Sequence, residues 1–291
     1  MRLSTIDLDG VEVDAVLVEG RGLAPLPEIA DDVPPTLLEL VVEGLGTEVR
    51  EALSAAASGL ADQRFVDPRA ARFRPLYRNP GKIVGIGLNY RSHAEDLDET
   101  HPDEPASFMK GSHTIIGDGD EIVLPSHSTH VTAEAELGLV FGSECRRVDE
   151  GDALGYLVGV CPVLDQTTID ILERTPRFLT RSKNYETFFS FGPALVTLDE
   201  ALGGHDGLDR IGVGTYCNGE LFREDVVSNM RHHPERLISL YSEVMPFHPG
   251  DVLSPGSPGG VRIEDGDVAE CRIPGIGTLR NPVVRREPPA L

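Results

Sequence analysis

The sequence is poor in basic residues. Its 26 lysines and arginines are outnumbered by 48 aspartates and glutamates, so the 291 residues carry a formal net charge of −22. Nucleic acids and anionic membrane surfaces attract basic proteins, and this balance therefore excludes a general affinity for either partner. The composition favours a soluble cytoplasmic protein.

Cysteine is also scarce, and tryptophan is absent. The four cysteines lie far apart and form no Cys-x-x-Cys pair, a pattern that suggests neither a zinc site nor a disulfide framework. No uninterrupted apolar run approaches the length of a membrane span, and the first residues lack the apolar segment of a secretory signal. These absences predict free thiols in a reducing compartment and no membrane partner.

The length and the 40% of hydrophobic residues suit one large domain with a small companion. Short strands are expected over residues 1–30, and Thr36 with Glu39 forms a helix capping box. A proline-bearing stretch at 67–81 follows, and beyond it the sequence changes to short strands separated by turns. We predict a small N-terminal α/β domain at 1–78 and a larger, mainly β domain at 79–291.

The stretch from His130 to Gly142 alternates in a way that predicts a β-strand. Its apolar face consists of Ala133, Ala135, Leu137, Leu139 and Phe141. The opposite face carries Glu134 and Glu136 side by side, and such a pair repels itself unless it is solvated, shares a proton or binds a cation. A solvated outer face of an antiparallel sheet is the common alternative to a cation site.

A third carboxylate, Asp165, follows the apolar run Tyr156–Leu164. A lone acid at the end of such a run is unusual unless it is paired or ligating. Oxygen ligands from Glu134, Glu136 and Asp165 would suit Mg²⁺, Mn²⁺ or Ca²⁺, with water or substrate in the open positions. By themselves these three acids are only a weak indication of a divalent-metal site.

Eight short motifs occur in the order found in the fumarylacetoacetate hydrolase family, and the chain resembles that family over residues 80–285. The motifs are Gly87-Leu88-Asn89-Tyr90-x-x-His93, Pro102-x-x-Pro105-x-x-Phe108-x-Lys110, Glu134-x-Glu136-Leu137-Gly138, Asp165-x-Thr167 after Tyr156 and Gly159, Lys183 with Thr187-Phe188 and Gly192-Pro193, Asn218-Gly219-Glu220, Pro249-Gly250-Asp251, and Gly256-Ser257-Pro258-x-Gly260-Val261. The resemblance implies an α+β, mainly β fold with a mixed β-sandwich or roll, a divalent metal on the three acids, and a homodimer.

The resemblance also assigns catalytic roles. It makes His93 the base, with Asp96 in place of the family's glutamate; the spacing would let the acid orient the imidazole on one helical turn. It places the cation of Lys183 near developing enolate charge. Without the family, a structural histidine and a solvated surface lysine would be the usual interpretations. The predicted substrate-binding residues are Tyr90, Lys110, Arg181 and Ser257.

Two positions depart from the family pattern on the short helix predicted at Thr167–Leu172. Many members carry arginine and then glutamine where this chain has Ile169 and Leu172, and those polar residues hold a substrate carboxylate. We therefore expect a more apolar pocket wall, poor turnover of oxaloacetate, and better turnover of longer substrates with an apolar or hydroxylated tail. Arg177 or Arg181 could supply a compensating cation.

The resemblance implies a metal-dependent enzyme that acts on 2-oxo acids or 1,3-dicarbonyl compounds by hydrolysing a C–C bond. His93 would take a proton from the attacking water, and Lys183 with the metal would stabilise the enolate leaving group. The same scaffold could instead isomerise, hydrate or decarboxylate ring-fission 2-oxo acids. A catalytically silent ligand-binding relative is the alternative of another class, although a mere binder would need neither the base nor the lysine.

Overall fold

The computed structural model describes residues 1–29, 34–90 and 103–286, in which β-strand is the most common regular secondary structure. The strands of these residues are β1 (Arg2–Leu8), β2 (Val11–Val18), β3 (Gly22–Pro25), β4 (Arg72–Phe73), β5 (Ile83–Gly87), β6 (Ala106–Lys110), β7 (Ile115–Ile116), β8 (Ile122–Leu124), β9 (Val131–Phe141), β10 (Leu157–Thr168), β11 (Phe189–Phe191), β12 (Leu195–Thr197), β13 (Gly212–Cys217), β14 (Glu220–Val226), β15 (Val252–Ser254), β16 (Gly260–Ile263), β17 (Val268–Ile273) and β18 (Gly277–Arg285). Their α-helices are α1 (Leu26–Ile29), α2 (Leu37–Glu43), α3 (Thr47–Ser58), α4 (Ile169–Leu172), α5 (Leu179–Lys183), α6 (Leu198–Leu202) and α7 (Pro234–Val244).

The strands form two mixed sheets. The larger has 13 strands with the central order β3-β2-β1-β12-β10-β9-β15-β5-β6, and the smaller has five strands in the order β14-β13-β17-β18-β8. Strands β4, β7, β11 and β16 branch from the larger sheet. The predicted α+β, mainly β fold class is confirmed.

Strand β9 lies at the centre of the larger sheet, and all of its 11 residues are buried. Leu137 and Leu139 belong to the same core as Leu279 of the smaller sheet, which covers one face of β9. On the other face Val140 shares a core with Leu40 of α2. The predicted strand is confirmed, but its second face is not solvated, because helices of the N-terminal segment cover part of it.

The N-terminal segment joins the larger sheet directly, since β1 pairs antiparallel with β12. Helix α2 begins as the capping box predicts: Thr36 Oγ1 accepts a hydrogen bond from the Glu39 backbone N–H at 3.2 Å. Buried Asp14 accepts a second hydrogen bond at the same end of the helix, from the Leu37 N–H (2.5 Å). The division into domains at 1–78 and 79–291 stays a prediction.

One helix begins later than predicted. Strand β10 continues to Thr168, which pairs with Val131 of β9, and α4 starts only at Ile169. At these residues, pairing with β9 is more stable than a helix, because each added pair forms hydrogen bonds to backbone groups that would otherwise be buried without partners. None of the helices in the described residues is long and apolar enough to cross a membrane.

Candidate active site and metal centre

The three predicted metal ligands lie together on one face of the β9–β10 ladder. Asp165 is directly opposite Glu134, and residues opposite each other in an antiparallel pair point to the same face. Glu136 lies two residues further along β9 and therefore shares that face. One carboxylate oxygen from each of the three residues lies within 4.8 Å of the others.

Glu136 is held in one orientation by the last residue of β15 and the loop that follows it. Its Oε2 accepts hydrogen bonds from Ser254 Oγ (2.5 Å) and from the Gly256 backbone N–H (2.8 Å). The side chain is 1% exposed, and burial, followed by the neighbouring charge of Asp165, raises the pKa of Glu136 to about 8. A divalent cation would favour the ionised form that burial opposes.

Glu134 is fixed by two threonines. Its Oε1 accepts hydrogen bonds from Thr132 Oγ1 (3.1 Å) and Thr167 Oγ1 (3.0 Å). Close packing adds a constraint, since a Cβ added to Gly260 on the neighbouring strand would lie 2.9 Å from Glu134 Cγ. The motifs contain Thr167 and Gly260, but sequence reasoning gave neither a role, because their contacts depend on strand register.

Two buried lysines complete the charge arrangement. Lys110 Nζ donates to Asp165 Oδ1 and Lys183 Nζ to Asp165 Oδ2, both at 2.5 Å, and Lys183 also donates to Glu134 Oε2 at 3.2 Å. Burial, with a further contribution from Lys183, lowers the pKa of Lys110 to about 8. Burial would also lower the pKa of Lys183, but the charges of Asp165 and Glu134 outweigh it and raise that pKa above its usual value.

The donor set fits a divalent cation. Among the described residues, three carboxylates and no histidine or cysteine make up the cluster, and Mg²⁺, Mn²⁺ and Ca²⁺ prefer oxygen ligands. When all ionisable groups are charged, three carboxylates face two ammonium groups, so the cluster keeps a net negative charge. Buried net charge is costly unless it is compensated, and a bound cation would compensate it.

A cavity of about 640 Å³ opens above the cluster, within the range of about 300–1,000 Å³ that is usual for small-molecule sites. Its polar floor contains Glu134, Thr167, Lys183 and Ser257. The wall is mainly apolar and consists of Ile86, Gly87, Leu88, Ala106, Phe108, Ile169, Leu172, Pro176 and Leu179, with Glu173 as its one charged residue among those described. The structure thus places Ile169 and Leu172 in the wall, as expected from the sequence.

The Phe108 ring lies near both lysines and closer to Lys183. The centroid of its ring lies 4.5 Å from Lys183 Nζ, a favourable distance for a cation–π interaction. The ring occupies space that Gly85 of the neighbouring strand leaves open: a Cβ added there would lie 2.1 Å from Phe108 Cζ. Gly85 was missed as a site residue because a glycine in a strand reveals nothing about what packs over it.

The structure brings six of the ten predicted site residues together: Lys110, Glu134, Glu136, Asp165, Lys183 and Ser257. Tyr90 is fully buried and does not line the cavity, and its hydroxyl has no hydrogen-bond partner among the described residues. Burial, followed by the charge of Glu136, raises the pKa of Tyr90.

The other predicted residues are not part of this cluster. Arg181 is exposed, its guanidinium carbon lies 5.9 Å from the Phe178 ring centroid, and it does not line the cavity. Arg177 is exposed as well and does not line the cavity, so a compensating role of either arginine stays a prediction. His93 and Asp96 lie outside the described residues, and their roles as base and orienting acid stay predictions.

Comparison with known proteins identifies the family. Residues 82–284 match the family model of the fumarylacetoacetate (FAA) hydrolase C-terminal domain. The human protein named oxaloacetate tautomerase FAHD2A, mitochondrial, is 31% identical over 275 residues, which cover 91% of this chain and 85% of that protein.

Solved structures agree with this comparison. The 5-carboxymethyl-2-hydroxymuconate delta-isomerase from Mycobacterium smegmatis has a TM-score of 0.74 at 27% identity, covering 99% of this chain and 100% of that one. Maleylpyruvate hydrolase from Sphingobium sp. SYK-6, in complex with manganese(II) ion and pyruvate, has a TM-score of 0.81 with the same coverage; its 23% identity shows a shared fold alone. The chain belongs to the fumarylacetoacetate hydrolase family.

Proposed function

We propose that this protein is a divalent-metal-dependent enzyme that acts on 2-oxo acids or 1,3-dicarbonyl compounds. The observation that carries the proposal is the buried cluster of three carboxylates and two lysines beside a largely apolar cavity. Glu134, Glu136 and Asp165 would hold Mg²⁺ or Mn²⁺. When bound, such an ion supplies Lewis-acid polarisation of a carbonyl oxygen.

The chain's own residues supply the remaining electrostatics. Lys183 lines the cavity floor, so its cation would stabilise negative charge that develops on a substrate oxygen as a proton or a carbon group leaves the neighbouring carbon. Lys110 is not part of the cavity lining and instead fixes Asp165. His93, oriented by Asp96, is the proposed group that moves the proton.

Relocation of a proton is the first candidate reaction, either as keto–enol tautomerisation or as isomerisation of a double bond. Two relatives that are at least 27% identical carry names of this kind, oxaloacetate tautomerase and delta-isomerase. The reaction needs a base and stabilisation of developing negative charge, but no water nucleophile. A cavity floor with one cation and a mainly apolar wall suits this chemistry.

Hydrolysis of a C–C bond, the reaction expected from the sequence, is the second candidate. The match to the fumarylacetoacetate hydrolase domain supports it. It would add an attacking water to the same scheme and release two smaller acids. The wall that contains Ile169 and Leu172 favours substrates with an apolar or hydroxylated tail in either case.

One screen tests both candidates. Oxaloacetate, acylpyruvates of increasing tail length and ring-fission 2-oxo acids are each incubated with Mn²⁺ or Mg²⁺, beside an EDTA control. Loss of enol absorbance without release of pyruvate, carbon dioxide or a second acid would identify proton relocation, whereas release of pyruvate and a second acid would identify hydrolysis. A chain that binds Mn²⁺ but turns over no substrate would be a silent binder, and one that does neither would overturn the proposal.

A further inference from the structure

Lys110 and Lys183 meet at Asp165 although they come from separate segments, since Lys110 ends β6 and Lys183 ends α5. We propose that Asn184 is a positioning residue that joins these two segments and so sets the location of both ammonium groups. The inference rests on the proposed function, because it concerns the same site.

The side chain of Asn184 uses three hydrogen bonds to join the segments. Its Oδ1 accepts from the Gly111 N–H at 2.8 Å, and its Nδ2 donates to the Met109 carbonyl at 3.0 Å. These two groups belong to the residues on either side of Lys110. The same Nδ2 donates to the carbonyl of Thr180 in α5 at 2.8 Å. One amide thus engages both of its donor hydrogens and its acceptor oxygen.

The backbone of Asn184 adds a fourth contact. His113 Nε2 lies 3.0 Å from the Asn184 carbonyl oxygen, and because a carbonyl only accepts, the histidine must donate from Nε2. Gly111 makes this possible, since a Cβ at that position would lie 2.5 Å from His113 Nδ1. We call the four contacts of Asn184 with Met109, Gly111, His113 and Thr180 the Asn184 clasp.

The clasp acts on the site through the lysines. Each ammonium group binds one oxygen of Asp165, so a shift of either segment would turn that carboxylate or remove one of its partners. Lys183 also lines the cavity, which makes its location relative to a substrate dependent on the same contacts. Positioning errors of about 1 Å are enough to slow an enzyme substantially.

A purely structural interpretation makes Asn184 the terminal cap of a short helix. That interpretation predicts a loss of stability without a specific effect on the lysines. The two interpretations can be separated because the whole chain contains only three lysines, Lys82, Lys110 and Lys183. Lys82 forms an ion pair with Asp251 and does not line the cavity, so it serves as an internal reference.

The experiment labels lysine with ¹³C at Cε and records proton–carbon correlations of the full chain without added metal. Lysine-to-arginine variants assign the three residues. In Asn184→Ala we expect the signals of Lys110 and Lys183 to move toward those of a freely rotating lysine, while the Lys82 signals stay in place. Unchanged Lys110 and Lys183 signals would overturn the proposal.

Asn281→Ala is the matched control. Asn281 Nδ2 donates to two carbonyls, of Gly117 (2.7 Å) and Asp120 (2.8 Å), and the residue does not line the cavity. We expect this variant to lower the melting temperature while leaving the Lys110 and Lys183 signals in place. If Asn281→Ala moved the Lys110 and Lys183 signals as much as Asn184→Ala does, those signals would reflect general destabilisation and the proposal would fail.

Kinetics provide the second readout, with the best substrate of the screen described above. We expect Asn184→Ala to lower kcat about tenfold with KM within about twofold, because misplaced charge weakens transition-state stabilisation more than substrate binding. An unchanged kcat in an active enzyme would overturn the proposal. A parent protein inactive on every substrate would contradict the proposed function, while the lysine signals would still decide on the clasp.

Discussion

At the scale of single residues, the site depends on side chains whose neighbours are distant in sequence. The alternation around Glu134 and Glu136 predicts that both point to one face, and the structure has them there. Ser254 could not be found in this way, because its hydrogen bond to Glu136 spans 118 positions. Arg181 and Lys183 both lie on α5, but residues two apart on a helix are separated by about 200° around its axis, so the two side chains point to different faces.

Glu136→Gln tests the metal centre. The substitution keeps the size of the side chain but removes the charge of one proposed ligand, so we expect the affinity for Mn²⁺ to fall at least about tenfold by titration calorimetry. Glu270→Gln is the control, because Glu270 is also buried but pairs with Arg272 and Arg280 and does not line the cavity. Equal dissociation constants for parent and Glu136→Gln would remove Glu136 from the ligand set.

Gly85→Ala tests the packing of Phe108. The new Cβ would lie 2.1 Å from Phe108 Cζ, so the ring or the strand must shift. We expect a loss of about 1–3 kcal/mol in the free energy of unfolding, measured by urea denaturation. In Gly87→Ala, two residues along the same strand, the new Cβ would meet no atom of the described residues within 4 Å, and stability should stay close to that of the parent protein. Similar losses in the two variants would show that strand propensity, rather than the ring, is responsible.

At the scale of elements, local patterns predict where strands and helices lie better than what covers them. The pattern of β9 predicts the strand, yet it cannot show that a second sheet and N-terminal helices bury both faces. Likewise, the position of Asp165 opposite Glu134 depends on the register between β9 and β10 across a long connection. The capping box of α2 is different, because all of its contacts lie within four residues.

The effect of Thr36→Ala on the free energy of unfolding can therefore be predicted from the sequence. The substitution removes the side-chain acceptor for the Glu39 N–H at the start of α2, and we expect about 1 kcal/mol less free energy of unfolding. Ser54→Ala, at an exposed position inside α3, removes a hydroxyl without removing a cap and should change stability by less than about 0.5 kcal/mol. Chemical denaturation of both variants measures the difference, and a Thr36 effect no larger than that of Ser54 would contradict the capping role.

At the scale of the whole molecule, folding and metal binding should be coupled. The acids of the cluster lie on central strands, so a ligand that binds only the folded chain shifts the whole unfolding equilibrium. We expect Mn²⁺ at 100 times its dissociation constant to add about 2.7 kcal/mol to the free energy of unfolding. Mn²⁺ should therefore raise the melting temperature, and EDTA should reverse that rise. In Glu136→Gln, Mn²⁺ should raise the melting temperature only slightly. Equal melting temperatures with Mn²⁺ and with EDTA would contradict the coupling.

The predicted homodimer is a further property of the whole molecule. Light scattering after size-exclusion chromatography should give twice the 31.5 kDa of one chain. The expectation comes from the family resemblance and not from the described surface. A mass of one chain at micromolar concentration would contradict it.

The scarcity of lysine has a practical consequence for work on this protein. Its three lysines are matched by 23 arginines, and all three form ion pairs, with side-chain exposures of 14% for Lys82, 1% for Lys110 and 6% for Lys183. Acylating dyes, amine crosslinkers and acetyl donors therefore meet a surface almost without lysine amines. Lys110 does not line the cavity, so a reagent reaches its amine only when the site opens, and the rate at which Lys110 is acylated would measure how often that happens.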